Sequence, residues 1–341
     1  MRTILVTGGA GFIGSNFVRY MTKAYPGDKI IVLDALTYAG SVNSLPKSGN
    51  TDKFEFWYGN VKNGELVDTL MSKSDVVVHF AAESHVTRSI YDNLNFFETD
   101  VIGTQVIANS VLKYRDRIKL FIHISTSEVY GTAVQDKMNE VHPLNPMSPY
   151  AAAKCGADRL VYSYHQTYKI PSVIVRPFNN FGPYQHLEKL VPRFVTSCIL
   201  GEAMEVHGDG SASRDWLYVD DHCRALERIL QMPPEKVIGK IINLGVGESR
   251  SILEIANLVK ELMGAPNTPV RMVDNRPGQV DRHTCDAKLA HELLDWKPKT
   301  SFQEGMKKVV EFYRENREWW TPQIWLRSTP IVTQDGRKIQ Q

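Results

Sequence analysis

The chain has 341 residues, 43% hydrophobic and 23% charged, with 17 Pro and 23 Gly. That composition excludes fibrous, disulfide-rich and disordered classes, and the length leaves material for one large domain or two smaller ones. Lys and Arg total 40 and Asp and Glu 38, so a net charge of +2 offers no bulk attraction for nucleic acid or a membrane surface.

No apolar run reaches the roughly 18 residues of a spanning helix. Met1-Arg2-Thr3-Ile4-Leu5-Val6 enters a strand-like stretch directly, without the charged, apolar and small-residue succession of a secretory signal. Cys155, Cys198, Cys223 and Cys285 are scattered and form no C-x-x-C pair, which suits reduced thiols. These features predict a cytoplasmic protein with no metal site and no nucleic-acid or membrane partner.

Short apolar runs at 4–7, 29–33, 75–80, 120–125 and 172–176 read as strands buried on both faces. Helix-period stretches lie between them at 13–24, 65–71, 96–114 and 150–168. This alternation predicts a doubly wound parallel α/β sheet. After Arg176 the texture changes, with Pro177, Gly182, Pro183 and Pro192. Helices are expected at 192–200, 222–231 and 251–263, and a strand at 240–244. The stretch from Thr321 onward has no clear periodicity.

The first strand ends in Thr7-Gly8-Gly9-Ala10-Gly11-Phe12-Ile13-Gly14, which opens the first helix. Gly8 permits a tight turn, Gly11 lets the backbone approach a pyrophosphate, and Gly14 allows close helix packing. The helix start offers free N–H groups to phosphates, with Phe12 and Ile13 in its first turn. Asp34 lies 20 residues past Gly14, at the end of the second strand. A carboxylate there binds a ribose diol and repels a 2′-phosphate, which predicts NAD as the cofactor. Asn60 and Val61, after another strand, are candidates for contact with the adenine.

Tyr150-Ala151-Ala152-Ala153-Lys154 places Tyr and Lys on one helix face. A Lys cation and a cationic nicotinamide beside the phenol would lower its pKa from about 10 towards neutrality. The phenolate then takes a hydroxyl proton as hydride leaves the same carbon. Ser125, Thr126 and Ser127 end the fourth strand, at the sheet edge where ligands bind, and Thr126 is placed to bond the substrate hydroxyl.

With these motifs the sequence resembles the extended short-chain dehydrogenase/reductase family, and within it the nucleotide-sugar 4,6-dehydratases of the dTDP-glucose type. The glycine loop and Tyr-x-x-x-Lys mark the superfamily. Ala81-Ala82-Glu83-Ser84-His85, Asn179-Asn180-Phe181-Gly182-Pro183 and Arg214-Asp215-Trp216-Leu217-Tyr218-Val219 narrow it, with Arg276-Pro277-Gly278 further on. The resemblance covers the chain to about Trp320. It implies a Rossmann-type domain over 1–176, with a return segment near 216–244. It also implies a smaller C-terminal substrate-binding lobe, mainly over 177–330, and a tail over 331–341.

The resemblance also implies a reaction. Tyr150 deprotonates the sugar 4-hydroxyl as hydride passes from C4 to NAD⁺. The 4-ketone acidifies C5, a base removes that proton, water leaves from C6, and hydride returns to C6. Glu128 occupies the base position. Ser127 stands where the dTDP-glucose type carries the Asp that protonates the leaving hydroxyl. Thr87 likewise replaces an Asp. GDP-mannose 4,6-dehydratases and UDP-glucuronate decarboxylases share Thr-Ser-Glu, so a decarboxylase remains an alternative. A 4-epimerase is a further one, although it would leave Glu128 idle. A non-catalytic NAD-binding regulatory protein is the reading from another class, and the full set of Thr126, Glu128, Tyr150 and Lys154 argues against it.

Ala81 and Ala82 are expected at the cofactor. Ser84, His85, Asn179, Asn180, Lys189, Leu190 and Asn243 are expected at the nucleotide sugar. Arg214 and Arg282 are candidates for its diphosphate. His79, His123 and His207 are read as structural, and Trp319-Trp320 as packing. The family commonly dimerises through two helices per subunit, here 96–114 and 150–168, so a homodimer is expected.

Overall fold

The computed structural model describes residues 1–46, 54–275, 277–332 and 338–340. Arg276 of the Arg-Pro-Gly segment, and residues 333–337 and 341 of the predicted tail, lie outside the described residues.

Five strands follow the predicted runs: β1 (Thr3–Thr7), β2 (Lys29–Asp34), β4 (Val76–His79), β5 (Leu120–Ile124) and β6 (Ser172–Pro177). Two more, β3 (Phe54–Tyr58) and, much later, β10 (Ile241–Leu244), complete a parallel seven-stranded sheet in the order β10-β6-β5-β4-β1-β2-β3. This is the doubly wound Rossmann-type architecture. Its order reverses between β1 and β4, and the ends of those strands open the crevice where ligands bind in such sheets. Leu5, Val6, Ile31, Val32, Val77 and Val78 are fully buried, because helices cover both faces.

The covering helices are α1 (Phe12–Ala24), α2 (Gly64–Met71), α3 (Val86–Tyr91), α4 (Thr104–Lys113) and α5 (Pro149–Tyr168). Pro149 starts α5, and Ser148 caps it by accepting from the Ala151 N–H at 3.1 Å. The single helix predicted over 96–114 is interrupted. A π-helical run, Phe97–Gly103, precedes α4. It carries Asp100 inward, where Oδ1 accepts the Glu83 N–H at 2.7 Å, and a Cβ on Gly103 would sit 2.7 Å from Val61. Such π-turns often lie at functional sites.

The second lobe has its own core, with Phe181, Phe194, Val206, Tyr218, Val259 and Met306 among its members. It is built from α6 (Leu190–Leu200), α8 (Ile252–Met263) and α10 (Phe302–Glu315), beside the strands β7 (Asn179–Phe181), β8 (Met204–His207) and β9 (Ser213–Tyr218). Sequence reading passed over α10. Its start is fixed by a capping box in which Ser301 and Glu304 bond each other's backbone N–H. The Tyr313 and Trp320 side chains are buried in this core and Trp319 packs against it.

The chain returns to the first lobe twice rather than once. Helix α7 (Val219–Gln231) and β10 form the expected return. Then α9 (Lys288–Leu294) brings Ala290, Leu294 and Trp296 into the same core as β1 and α1. The tail, read as without periodicity, pairs Pro330–Val332 antiparallel with Lys338–Gln340.

Candidate active site

A cavity of about 450 Å³ runs along the ends of β1, β2, β4 and β5 and into the second lobe. Gly8, Gly11, Phe12, Ile13, Gly14, Asp34, Asn60, Val61, Ala81 and Ala82 all line it. Gly8 has φ +70°, and a Cβ there would meet the Ala81 nitrogen at 2.5 Å. A Cβ on Gly14 would lie 2.3 Å from the Gly8 carbonyl, so α1 starts tight against the turn. Gly11 would meet only the Gly8 carbonyl, at 3.3 Å, which leaves its outer side open to a ligand. No acidic residue occupies the first turn of α1, so its N–H groups and dipole remain free to attract an anion.

Asp34 closes this end. Its Oδ2 accepts the Ala10 N–H and its Oδ1 the Leu36 N–H, both at 2.8 Å. Burial pushes the carboxyl up from its ordinary value, and these N–H groups partly pull it back. An open-sided glycine turn, bare helix N–H groups and a carboxylate tied to the same turn fit a dinucleotide with free ribose hydroxyls.

The opposite wall comes from the end of β5. Thr126 caps the short 3₁₀ turn Ser127–Tyr130, its hydroxyl accepting the Glu128 N–H at 3.2 Å. Thr126, Ser127, Glu128, Tyr150 and Lys154 all line the cavity. Tyr150 is anchored through its N–H to the Ser89 hydroxyl at 3.0 Å. Lys154, one turn on, donates from Nζ to the Ile124 carbonyl at 2.8 Å.

The expected lowering of the Tyr150 phenol is reversed in the protein's own field. Burial raises it, with Asp100 and Glu128 adding, and the hydrogen bond with Thr126 opposes. Lys154 is itself pushed down by burial, with Asp100 and then Asp158 pulling it back. Asp100 is the group that sequence reading missed here. Burial pushes its carboxyl up to about 8, against the Lys154 charge. The only signal for it was an acidic residue within an otherwise helix-like run.

On the substrate side, Ser84, His85, Asn179, Asn180, Lys189, Leu190 and Arg214 also line the cavity. Lys189 Nζ donates to the Ser84 carbonyl at 2.5 Å, and so links the two lobes. His85 caps α3 through Nδ1, which accepts the Arg88 N–H at 3.3 Å. The Asn180 Oδ1 lies 3.0 Å from His222 Nδ1. Arg214 is buried. Burial lowers its pKa and the Glu128 carboxylate raises it.

Two of the predicted substrate residues lie elsewhere. Asn243 is fully buried between the Tyr130 hydroxyl, which donates to it at 2.7 Å, and the Met138 carbonyl, to which its amide donates at 3.0 Å. Its place in the middle of β10 makes it a structural bridge. Arg282 uses both terminal nitrogens on the carbonyls of Asp136 and Gln135 and is not among the lining residues. His207, read as structural, does line the cavity. His283, which sequence reading passed over, stands behind Ser127, with Nδ1 3.3 Å from its hydroxyl.

The family model for GDP-mannose 4,6 dehydratase matches residues 5–309. This chain belongs to that family. Its relatives include the low-salt glycan biosynthesis protein Agl12 of Haloferax volcanii, 44% identical over 91% of this chain and 98% of that one. The dTDP-glucose 4,6-dehydratase of Streptomyces niveus is 40% identical over 94% of this chain and 95% of its own. Among solved structures, a double mutant of DesIV, the dTDP-glucose 4,6-dehydratase of Streptomyces venezuelae, was crystallised with NAD bound. It superposes with a TM-score of 0.89 at 40% identity, covering 95% of this chain and all of that one. Among the described residues, no helix is long and apolar enough to cross a membrane. Nor does any group of three or more His, Cys, Asp or Glu there have the arrangement to hold a metal ion.

Proposed function

We propose that this protein is an NAD-dependent nucleotide-sugar 4,6-dehydratase, a lyase that converts an NDP-hexose to the NDP-4-keto-6-deoxyhexose. The observation that carries this reading is that Glu128 shares one cavity with Tyr150, Thr126, Lys154 and the glycine turn. An oxidoreductase needs only the Tyr, Lys and hydroxyl set. A carboxylate beside them adds a base for a carbon acid.

NAD⁺, when bound by the glycine turn and Asp34, accepts hydride from C4 and returns it at C6. The chain's own residues do the rest. Tyr150 takes the 4-hydroxyl proton, with Thr126 orienting that hydroxyl and Lys154 supplying positive charge. Because burial holds the phenol high, a cation close to it is needed before it ionises, which couples proton removal to the oxidised cofactor. Glu128 then removes the C5 proton, acidified by the new ketone. Asn180, Lys189 and Arg214 hold the sugar and its diphosphate from the second lobe. The dTDP-glucose dehydratase relatives make dTDP-glucose the first substrate to try.

The protein is further proposed to act as a cytoplasmic homodimer. Four free cysteines suit a reducing compartment. Phe97, Ile102 and Tyr162 leave apolar surface exposed along the π-helical run and α5, as a helix-paired interface requires. Size-exclusion chromatography with light scattering checks the dimer.

Mass spectrometry after incubation with NAD and a panel of dTDP-, UDP-, GDP- and CDP-hexoses and UDP-glucuronate tests the activity. Loss of one water from a hexose nucleotide is expected. Loss of carbon dioxide from UDP-glucuronate, or conversion without mass change, would overturn the dehydratase reading.

A further inference from the structure

We infer that His283 is the proton relay of the elimination: it receives, through Glu128, the proton removed at C5 and passes it through the Ser127 hydroxyl to the departing C6 oxygen. This rests on the 4,6-dehydratase reading. It answers a chemical problem within that reading. The C6 hydroxyl must leave as water, and Ser127, on the cavity wall where an acid is expected, has no acidic proton of its own.

The geometry supplies one. His283 is fully buried. Its Nε2 lies 2.8 Å from the Gly131 carbonyl, which only accepts, so Nε2 carries the hydrogen. In the neutral ring, Nδ1 therefore presents its lone pair. That lone pair faces the Ser127 hydroxyl at 3.3 Å and the Glu128 carboxylate at 3.9 Å. The backbone on both sides is fixed. The His283 N–H donates to the Ser213 carbonyl at 3.1 Å. Gly131, at φ +68°, packs so closely on Asn145 that a Cβ would sit 2.0 Å from its carbonyl.

The charged and titratable groups facing the ring are Glu128, Arg214 and His142. Burial lowers the imidazole, Glu128 raises it, and Arg214 lowers it again, so the ring is neutral at rest. A neutral Nδ1 and an ionised Glu128 share no hydrogen, and at 3.9 Å they stand beyond hydrogen-bond distance. Once Glu128 has taken the C5 proton it becomes a donor, and the pair can close.

The protons balance. Glu128 takes H⁺ from C5 and gives it to Nδ1. Nδ1 gives it to the Ser127 oxygen as the Ser127 hydroxyl proton moves to the C6 oxygen, the C6–O bond breaks and water leaves. His283 and Ser127 are then as they began. The proton that C5 needs after hydride return arrives from solvent on Glu128, and it equals the one Tyr150 took from the 4-hydroxyl and releases.

The test compares His283→Gln and His283→Gln/Ser127→Asp with the wild type on the nucleotide hexose that the wild type dehydrates. The same nucleotide 6-deoxy-6-fluorohexose, whose fluoride leaves without a proton, serves as the second substrate. His283→Gln is expected to lower kcat roughly a hundredfold or more with KM little changed, the usual scale of a lost general acid. It should run near the wild-type rate on the fluoro sugar. The added Asp should restore turnover of the natural sugar. A kcat close to wild type in His283→Gln, or an equal loss on both sugars, would overturn the relay. A wild type that dehydrates no nucleotide hexose would sink the parent reading, and the relay with it.

Discussion

Lys154 Nζ donates to the main-chain carbonyl of Ile124 at 2.8 Å, so the cation of helix α5 is fastened to the last residue of strand β5. Two residues later that strand becomes Thr126, and then the turn that carries Glu128. The Tyr-x-x-x-Lys helix and the Thr-Ser-Glu turn are therefore held in one register by this bond, together with that of the Ser125 hydroxyl to Asp158 of the same helix. Lys154→Met keeps the stem and removes the bond and the charge. The expected result is a fall in turnover of roughly a hundredfold or more, because the Tyr150 phenol, already raised by burial, loses its cation. Stopped-flow absorbance of the reduced cofactor should show the loss at C4 oxidation. Unchanged oxidation with slow product release would count against this assignment.

Asp34 tests the cofactor side. It accepts two backbone N–H groups and lines the cavity. Asp34→Ala removes both bonds and the charge that repels a 2′-phosphate. It also removes the acceptor for the ribose hydroxyls; a bond to a charged acceptor contributes about 1.5–3 kcal/mol, so NAD affinity should drop by roughly tenfold or more. NADP affinity should improve relative to NAD. Titration calorimetry on cofactor-stripped protein measures both, and an unchanged ratio of the two would remove Asp34 from discrimination.

Asp100 should shape the alkaline side of the pH profile of C4 oxidation. Its carboxyl, pushed up to about 8, is neutral below that pH and charged above it. When charged it opposes the Tyr150 phenolate. Asp100→Asn should therefore match the wild type below about pH 8, where Asn imitates the protonated acid. Above it, the variant's C4 oxidation should reach its plateau at lower pH, since the phenol loses a negative neighbour. Superimposable profiles over the whole range would show that Asp100 does not act on the phenol.

Much of this was legible in the chain. The β-branched runs of β1, β2, β4, β5 and β6 announce a buried parallel sheet, because only two-sided burial tolerates unbroken apolar residues. Gly8, Gly14 and Asp34 stand at fixed spacings that local geometry demands. What the sequence concealed depends on distance. His283 meets Ser127 from 156 residues away, and Asn243 meets Tyr130 from 113 away. No periodicity encodes such pairings. The helix broken at Phe97–Gly103 looked continuous because its apolar pattern is helical on both sides of the π-turn. The second return of the chain was missed because α9 is a short helix whose burial rests on Ala290, Leu294 and the later Trp296.

Behind the site lies a buried ion pair with a structural role. Arg176 donates from Nε to Asp158 Oδ2 at 2.8 Å and from a terminal nitrogen to Oδ1 at 2.9 Å. The Ser125 hydroxyl donates to the same carboxylate at 2.7 Å. Arg176 and Ser125 help hold that carboxyl well below the usual range. Asp158→Asn leaves a buried guanidinium without its counter-charge and should cost about 3–5 kcal/mol. Arg159→Ala, which removes a partner nearer the surface, should cost about 1 kcal/mol or less. Urea unfolding at neutral pH separates them. Equal costs would mean that Arg176 is held by its other acceptors, of which the Tyr130 hydroxyl at 2.9 Å is the nearest and the Glu140 carbonyl at 3.3 Å the next.

Glu128→Gln divides the reaction in two. The amide keeps the shape of the carboxylate and its hydrogen bond from the Glu128 N–H to Thr126, but it cannot take a proton from C5. The other groups of the oxidation step, Tyr150, Thr126 and Lys154, are untouched. Tyr150 even loses a negative neighbour, so C4 oxidation should be retained or slightly favoured at neutral pH. The expected phenotype is normal binding of NAD and nucleotide sugar, a build-up of reduced cofactor absorbance on mixing, and no solvent deuterium at C5. Deuterium incorporation measured by mass spectrometry decides the matter. A Glu128→Gln variant that still exchanges C5 at the wild-type rate would place the base elsewhere and leave Glu128 with only an electrostatic part beside Arg214 and His283.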